Sequence, residues 1–160
     1  MKIILDGIHT NLRFSSAHMI IGHETCGKIH GHSYILDLEI EGEPTEEFGF
    51  IIDFKIIKEI ARKICKNLDH RLIIPYNHPE IEIIKEDKEI FYFKTQDMKK
   101  YLLPQEDIIL LPIKSTNAES IAIYITEKIM KELSEYTNLT SIEVQVNEGI
   151  GQGATYKKYF

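Results

Sequence analysis

An α+β fold, in which pairs of antiparallel strands alternate with helices, follows from three observations. Apolar and acidic residues alternate through Ser33 to Gly42, with Tyr34, Leu36, Leu38 and Ile40 against Asp37, Glu39 and Glu41. The same two-residue period returns in Ser141 to Glu148, and two further stretches repeat apolar residues at helical spacing. At 160 residues, 43% hydrophobic and 28% charged, the composition is that of one globular domain without a disordered tail.

The elements are expected in the following order. Lys2 to Ala17 reads as an extended run, and Ser33 to Gly42 as the strand that pairs with it in an antiparallel hairpin. Between them, Met19 to Ile29 carries Gly22 and Gly27 and is too irregular for either regular element, which puts Cys26 on a loop. Asp53 is a good N-cap for a helix from Phe54 to about Leu68, whose apolar stripe is Ile57, Ile60, Ala61, Ile64 and Leu68. Cys65 adjoins that stripe and reads as a buried structural thiol. Leu68-Asp69-His70 closes the helix. The two polar residues admit two readings, a contacting carboxylate–imidazole pair or a histidine that meets the helix dipole beside a surface Asp69.

An insertion is expected at about 78–112. Within it, Glu80 to Thr95 alternates as a charged hairpin arm and Ile108 to Leu111 forms a short apolar strand. A second helix is expected from near Asn117 to about Glu135, capped by Ser-Thr-Asn oxygens. In the strand Ser141 to Glu148, parity puts Glu148 on the apolar side, where an unpaired charge is costly to bury. Glu148 is therefore expected either to end the strand in solvent or to face a ligand that supplies hydrogen-bond donors. Ala154 to Phe160 completes the sheet. His9, His23 and His78 read as ordinary loop or surface histidines.

Charge and cysteine usage exclude several roles. The net charge of −6 disfavours nonspecific binding to nucleic acid or anionic membranes. Two cysteines, no apolar run of membrane length and no cleavable leader point to the reducing cytoplasm.

Chemistry concentrates in Cys26-Gly-Lys-Ile-His30-Gly-His32, with His18 twelve residues ahead of His30. His-x-His on a strand puts both imidazoles on one face, and hairpin pairing would bring His18 to the same place. Three imidazoles with an open fourth position suit a catalytic zinc; with Cys26 as fourth ligand the site would be closed and structural. A chain long enough to bury its own core has no need of a metal staple, which favours the open site.

Six separated segments carry a resemblance: Phe14-Ser-Ser-Ala-His18, Cys26 to Tyr34, Gly49-Phe-Ile-Ile-Asp53-Phe54, Leu68-Asp69-His70, Glu119 at the start of an apolar helix, and Val146-Asn-Glu148. In this order they resemble the 6-pyruvoyltetrahydropterin synthase superfamily across nearly the whole chain. The spacing from Cys26 to His30-Gly-His32 is similar to the 6-carboxytetrahydropterin synthase branch, which supplies 7-deazaguanine nucleosides of tRNA. The pyruvoyl branch has a longer interval, and a branch that makes 6-hydroxymethyldihydropterin carries Glu in place of the Cys.

The resemblance implies a tunnelling fold, a four-stranded antiparallel sheet with two helices on one face, which oligomerises into a β-barrel as a trimer or hexamer with intersubunit active sites. On that account, contributions from different subunits are what let Glu148 and the histidines serve one ligand. It implies Zn2+ on His18, His30 and His32, Cys26 as thiolate base, and His70 oriented by Asp69 as a second acid–base group. It also implies Glu148 as the anchor of the pterin ring, with further substrate contacts from Glu119 and Thr116. Asn117 stands where the family usually has a threonine, with Thr116 one residue earlier. The activity implied is conversion of 7,8-dihydroneopterin triphosphate to 6-carboxy-5,6,7,8-tetrahydropterin. The alternatives are 6-pyruvoyltetrahydropterin synthase or another dihydroneopterin lyase and, in a different class, a non-catalytic metal-binding scaffold.

Overall fold

The computed structural model describes residues 1–160. Its elements are β1 (Lys2–Leu5), α1 (Gly7–Thr10), β2 (Arg13–His18), β3 (His30–Gly42), α2 (Phe54–Leu68), β4 (Arg71–Pro75), β5 (Ile81–Glu86), β6 (Ile90–Thr95), β7 (Lys100–Pro104), β8 (Ile108–Leu111), α3 (Ala118–Glu132), β9 (Leu139–Asn147) and β10 (Gly153–Tyr159). The main sheet has seven strands in the order β10-β9-β3-β2-β4-β8, with β1 also paired to β3, and β5-β6-β7 form a separate three-stranded sheet.

β3 organises the main sheet. One edge pairs with β9, from Ile35 opposite Asn147 to Gly42 opposite Leu139. The other edge is shared: β2 takes His30 to Ile35, and β1 takes Leu38 to Glu41. The extended run expected over Lys2 to Ala17 is therefore broken. Asp6 accepts the His9 N–H at 3.0 Å to cap the single turn of α1, and the chain reverses at Asn11 with φ 56°.

The four-stranded antiparallel sheet expected above is corrected to a larger, mixed one. β4 runs parallel to β2, and β8 parallel to β4. β8 falls on the short apolar strand expected at Ile108 to Leu111, whereas β4 is concealed in the sequence because Leu72, Ile73 and Ile74 are all buried, so both faces read apolar and no alternation is left. On one face Ile73 and Leu111 join the principal core, where Tyr34, Leu36, Leu38, Ile40, Ile142, Val144 and Val146 meet the apolar sides of α2 and α3. On the other face Leu72, Ile74 and Ile108 pack with Met19 against Phe91 and Phe93 of β6. Of the stretch expected as an insertion, the hairpin arm becomes β5 and β6, gains β7 as a third strand, and returns through β8 into the main sheet.

Both long helices begin as their caps dictate. The Asp53 carboxylate accepts from the Lys55 amide at 2.7 Å, and the Asn117 side chain accepts from the Ser120 amide at 3.1 Å. Cys65 is buried, and burial pushes its thiol up to about 12, which leaves it a packing residue. No helix is long and apolar enough to cross a membrane.

Truncation of the α3 core face should be costly where truncation of its outer face is not. Ile125 is fully buried and Ile123 is 42% exposed. Ile125→Ala is expected to lower unfolding free energy by about 2–5 kcal/mol and Ile123→Ala by less than about 0.5 kcal/mol, read from urea denaturation midpoints.

Candidate metal centre and its pocket

Antiparallel pairing sets His18, the last residue of β2, directly opposite His30, the first of β3, with Ser16 opposite His32. His30 and His32 share a face of β3 because side chains alternate. One ligand atom from each of the three histidines lies within 4.8 Å of the others. The spacing expected from the sequence is thus realised within one hairpin.

The hydrogen bonds orient the rings for a cation. His18 Nδ1 lies 2.7 Å from the carbonyl of Thr116 and His30 Nδ1 lies 2.8 Å from that of Lys28. A carbonyl only accepts, so both Nδ1 atoms carry the proton and both Nε2 atoms present lone pairs. Those Nε2 atoms face each other at 3.1 Å, and His32 Nε2 is buried without a partner. Opposed lone pairs repel unless a positive charge lies between them, and a buried orphan nitrogen is costly. A divalent cation resolves both. Burial pushes the His18 pKa down, which favours the neutral form a metal ligand needs.

A pocket of about 320 Å³ opens over these nitrogens, lined also by Cys26, Glu119, Glu148 and Gln152. Cys26 is half-buried and stands outside the three-ligand cluster, an arrangement that fits the open site rather than the closed one. Its backbone is fixed at both ends, its N–H donating to His23 Nδ1 at 3.0 Å and its carbonyl accepting from the Ile20 amide at 2.8 Å. Behind the histidines Tyr34 is fully buried, stacked on Phe14 at 4.7 Å between centroids, and burial raises its pKa so that it stays a neutral phenol.

Two expectations about this pocket need correction. Glu148 and the histidines come together within one chain, Glu148 Oε1 lying 3.9 Å from His18 Nε2. The cause is the β9–β3 register: with Asn147 opposite Ile35, the next residue falls beside the histidine end of β3. Thr116, expected as a substrate contact, does not line the pocket. Its hydroxyl donates to the Met19 carbonyl at 2.8 Å, and its own carbonyl orients His18. Asn117 takes its place on the wall beside Glu119.

Asp69 and His70 do contact each other, His70 Nδ1 donating to Asp69 Oδ2 at 2.8 Å. The other carboxylate oxygen accepts from the Ser15 amide at 2.7 Å, and this bond in particular holds Asp69 below its ordinary value. His70 takes φ 56°, and its side chain is 83% exposed and lies off the pocket of its own chain. Gln152, His23 and Ile20 gave no signal in the sequence, since their roles depend on turn geometry.

The 6-pyruvoyl tetrahydropterin synthase family matches this chain over residues 7–159. The chain belongs to the 6-pyruvoyl tetrahydropterin synthase family. Among its relatives, a Methanocaldococcus jannaschii protein provisionally named 6-carboxy-5,6,7,8-tetrahydropterin synthase is 52% identical over 161 residues, 99% of this chain and 98% of that protein. The Rickettsia bellii 6-carboxy-5,6,7,8-tetrahydropterin synthase is 30% identical over 78% of this chain and 80% of its own. The structure of Plasmodium vivax 6-pyruvoyltetrahydropterin synthase, in a catalytic-residue mutant form, superposes with TM-score 0.88 at 30% identity, covering 100% of this chain and 98% of that one. As a member of this family of pterin-metabolising lyases, the chain carries the three-histidine cluster on the paired ends of β2 and β3.

Two measurements check this geometry. Metal titration should give one tightly held divalent ion per chain, lost in His32→Ala and kept in Cys26→Ala. The Asp69 carboxylate, with its pKa lowered in the fold, contributes stability above the ordinary aspartate range that is lost as pH falls through the lowered value. Asp69→Asn should therefore flatten the acid limb of the stability–pH curve followed by thermal unfolding, with the difference from the parent protein greatest at neutral pH.

Proposed function

We propose that this protein is a zinc-dependent 6-carboxy-5,6,7,8-tetrahydropterin synthase acting on 7,8-dihydroneopterin triphosphate in 7-deazaguanine (queuosine or archaeosine type) biosynthesis. The observation that carries the reading is the convergence of Cys26, Glu148 and the three-histidine cluster on one pocket. The name shared by the Methanocaldococcus jannaschii and Rickettsia bellii relatives supports the 6-carboxy branch. So does Cys26 itself. In the Plasmodium vivax 6-pyruvoyltetrahydropterin synthase a catalytic residue is a glutamate. Here the nearby Glu24 is exposed and lies off the pocket wall, which Cys26 lines.

His18, His30 and His32 would hold the zinc, which supplies Lewis acidity toward substrate oxygens when bound. Cys26 takes a proton from the side chain of the substrate as a thiolate base. Glu148 accepts hydrogen bonds from the pterin ring N–H and exocyclic amine, the donors its strand position calls for. Asp69 holds the His70 proton on Nδ1, leaving Nε2 free to exchange protons on the opposite side of the substrate.

The exposure of His70 supports a second element of the proposal. A neighbouring copy would bring its own Asp69–His70 pair to this pocket, within a trimer or hexamer whose sheets join into a barrel. β10 offers an outer edge for that joining. The polar face of the main sheet, with Lys2 bonded to Glu39 at 2.6 Å and Lys157 to Glu41 at 2.9 Å, would line the interior.

The decisive experiment is incubation of zinc-loaded protein with 7,8-dihydroneopterin triphosphate and identification of the pterin by mass spectrometry. A 6-carboxy product is expected, and Cys26→Ala should lower turnover by about 10²–10⁴-fold while zinc content is unchanged. A pyruvoyl or hydroxymethyl product would overturn the branch. No product from any dihydroneopterin would overturn the enzyme reading in favour of a metal-binding scaffold.

A further inference from the structure

Residues 17–21 continue the two-residue alternation of β2 past its last hydrogen-bonded pair. His18 and Ile20 face the pocket. Ala17, Met19 and Ile21 face the opposite way, into the second core, with Met19 only 1% exposed. The far wall of that core comes from the small sheet, through Phe91, Phe93, Tyr101 and Leu103. The stretch that delivers a metal ligand is thus held from behind by β6 and β7.

The hold extends to Cys26. Ile20, between the two apolar anchors, donates its N–H to the Cys26 carbonyl at 2.8 Å. Its own carbonyl accepts from His23 at 3.0 Å, and the His23 ring accepts the Cys26 N–H. The loop closes tightly at Gly27, whose amide donates to the His23 carbonyl at 3.0 Å and where a Cβ would stand 2.2 Å from that oxygen. The loop therefore has one attachment to the body of the protein on its Met19 side, through two apolar side chains and the Thr116 hydroxyl bonded to the Met19 carbonyl. Near its middle, Gly22 approaches the Glu80 carboxylate just ahead of β5, 3.8 Å from the position of a Cβ.

We propose that the three-stranded sheet β5–β7 is a positioning platform for the Cys26 loop, and that Met19 is the positioning residue through which it acts. Seating Met19 in the cluster that holds Leu72, Phe91 and Phe93 fixes Ile20, and Ile20 fixes the Cys26 backbone beside the histidines. Displacement of a reacting group by about 1 Å costs on the order of 10²-fold in rate, so a loop whose most deeply buried anchor is Met19 is sensitive to the volume of that side chain. The rate consequence rests on the assignment of Cys26 as the base; the mechanical one does not.

The test uses the full-length protein with three variants. Met19→Ala empties the seat, Met19→Leu keeps its volume, and Ile125→Ala makes a comparable cavity in the other core. Amide exchange of the 20–27 segment, read by mass spectrometry, reports the loop without turnover; kcat, KM and zinc content report the site. Met19→Ala is expected to speed exchange at Cys26 and Gly27 by about tenfold or more. It should lower kcat on the order of 10²-fold with KM within about twofold and zinc retained. Met19→Leu should restore both, and Ile125→Ala should change neither below its melting temperature. Exchange in Met19→Ala equal to the parent's, or Ile125→Ala loosening the loop equally, overturns the platform. Faster exchange with undiminished kcat keeps the platform and overturns the role of Cys26 as base.

Discussion

The pairing of His18 opposite His30 brings two imidazole lone pairs to 3.1 Å, and the surrounding structure serves to keep that unfavourable approach in place. Slipping β2 by one residue would turn every side chain to the opposite face, exchanging His18 for Ala17 at the site. Several features oppose the slip. Phe14 stacks on Tyr34 in the adjacent core, the Ser16 hydroxyl donates to the Leu68 carbonyl at 2.5 Å, and the ring of His18 donates to Thr116. Each belongs to a different element, so the register is specified by β3, α2 and the approach to α3 together.

Much of this was legible in the sequence because it depends on local period. The strand alternation from Tyr34 to Ile40, the Asp53 and Asn117 caps and the His-x-His pair all express themselves within a few residues. The parity of Glu148 identified a carboxylate in need of donors, and the structure sets it on the pocket wall. What was not legible depends on pairing between distant segments. β4 is apolar on both faces and gives no period, the parallel pairing of β8 with it has no local signal, and whether Asp69 turns toward His70 depends on an amide of Ser15, in β2. The substrate contact expected of Thr116 failed for the same reason: its hydroxyl faces Met19, and only the fold puts those residues side by side.

The two faces of the main sheet divide the labour. The face beneath α2 and α3 holds the principal core, which extends without interruption to Tyr34 behind the histidines. The other face is polar along β1, β3, β9 and β10, where Glu39 stands directly opposite Glu143 and lysines supply the compensating charge. It becomes apolar only at the β4–β8 end, where the small sheet covers it. The loop that carries Cys26 leaves β2 at that boundary.

The bond from the His18 ring to the carbonyl of Thr116 joins residues 98 positions apart. All three histidines of the cluster lie in the first fifth of the chain, yet the orientation of one of them waits on a residue in its last third. A growing polypeptide exposes all three imidazoles long before it can present them in order. Ordering of the three-imidazole cluster in this architecture is thus coupled to a late, long-range closure.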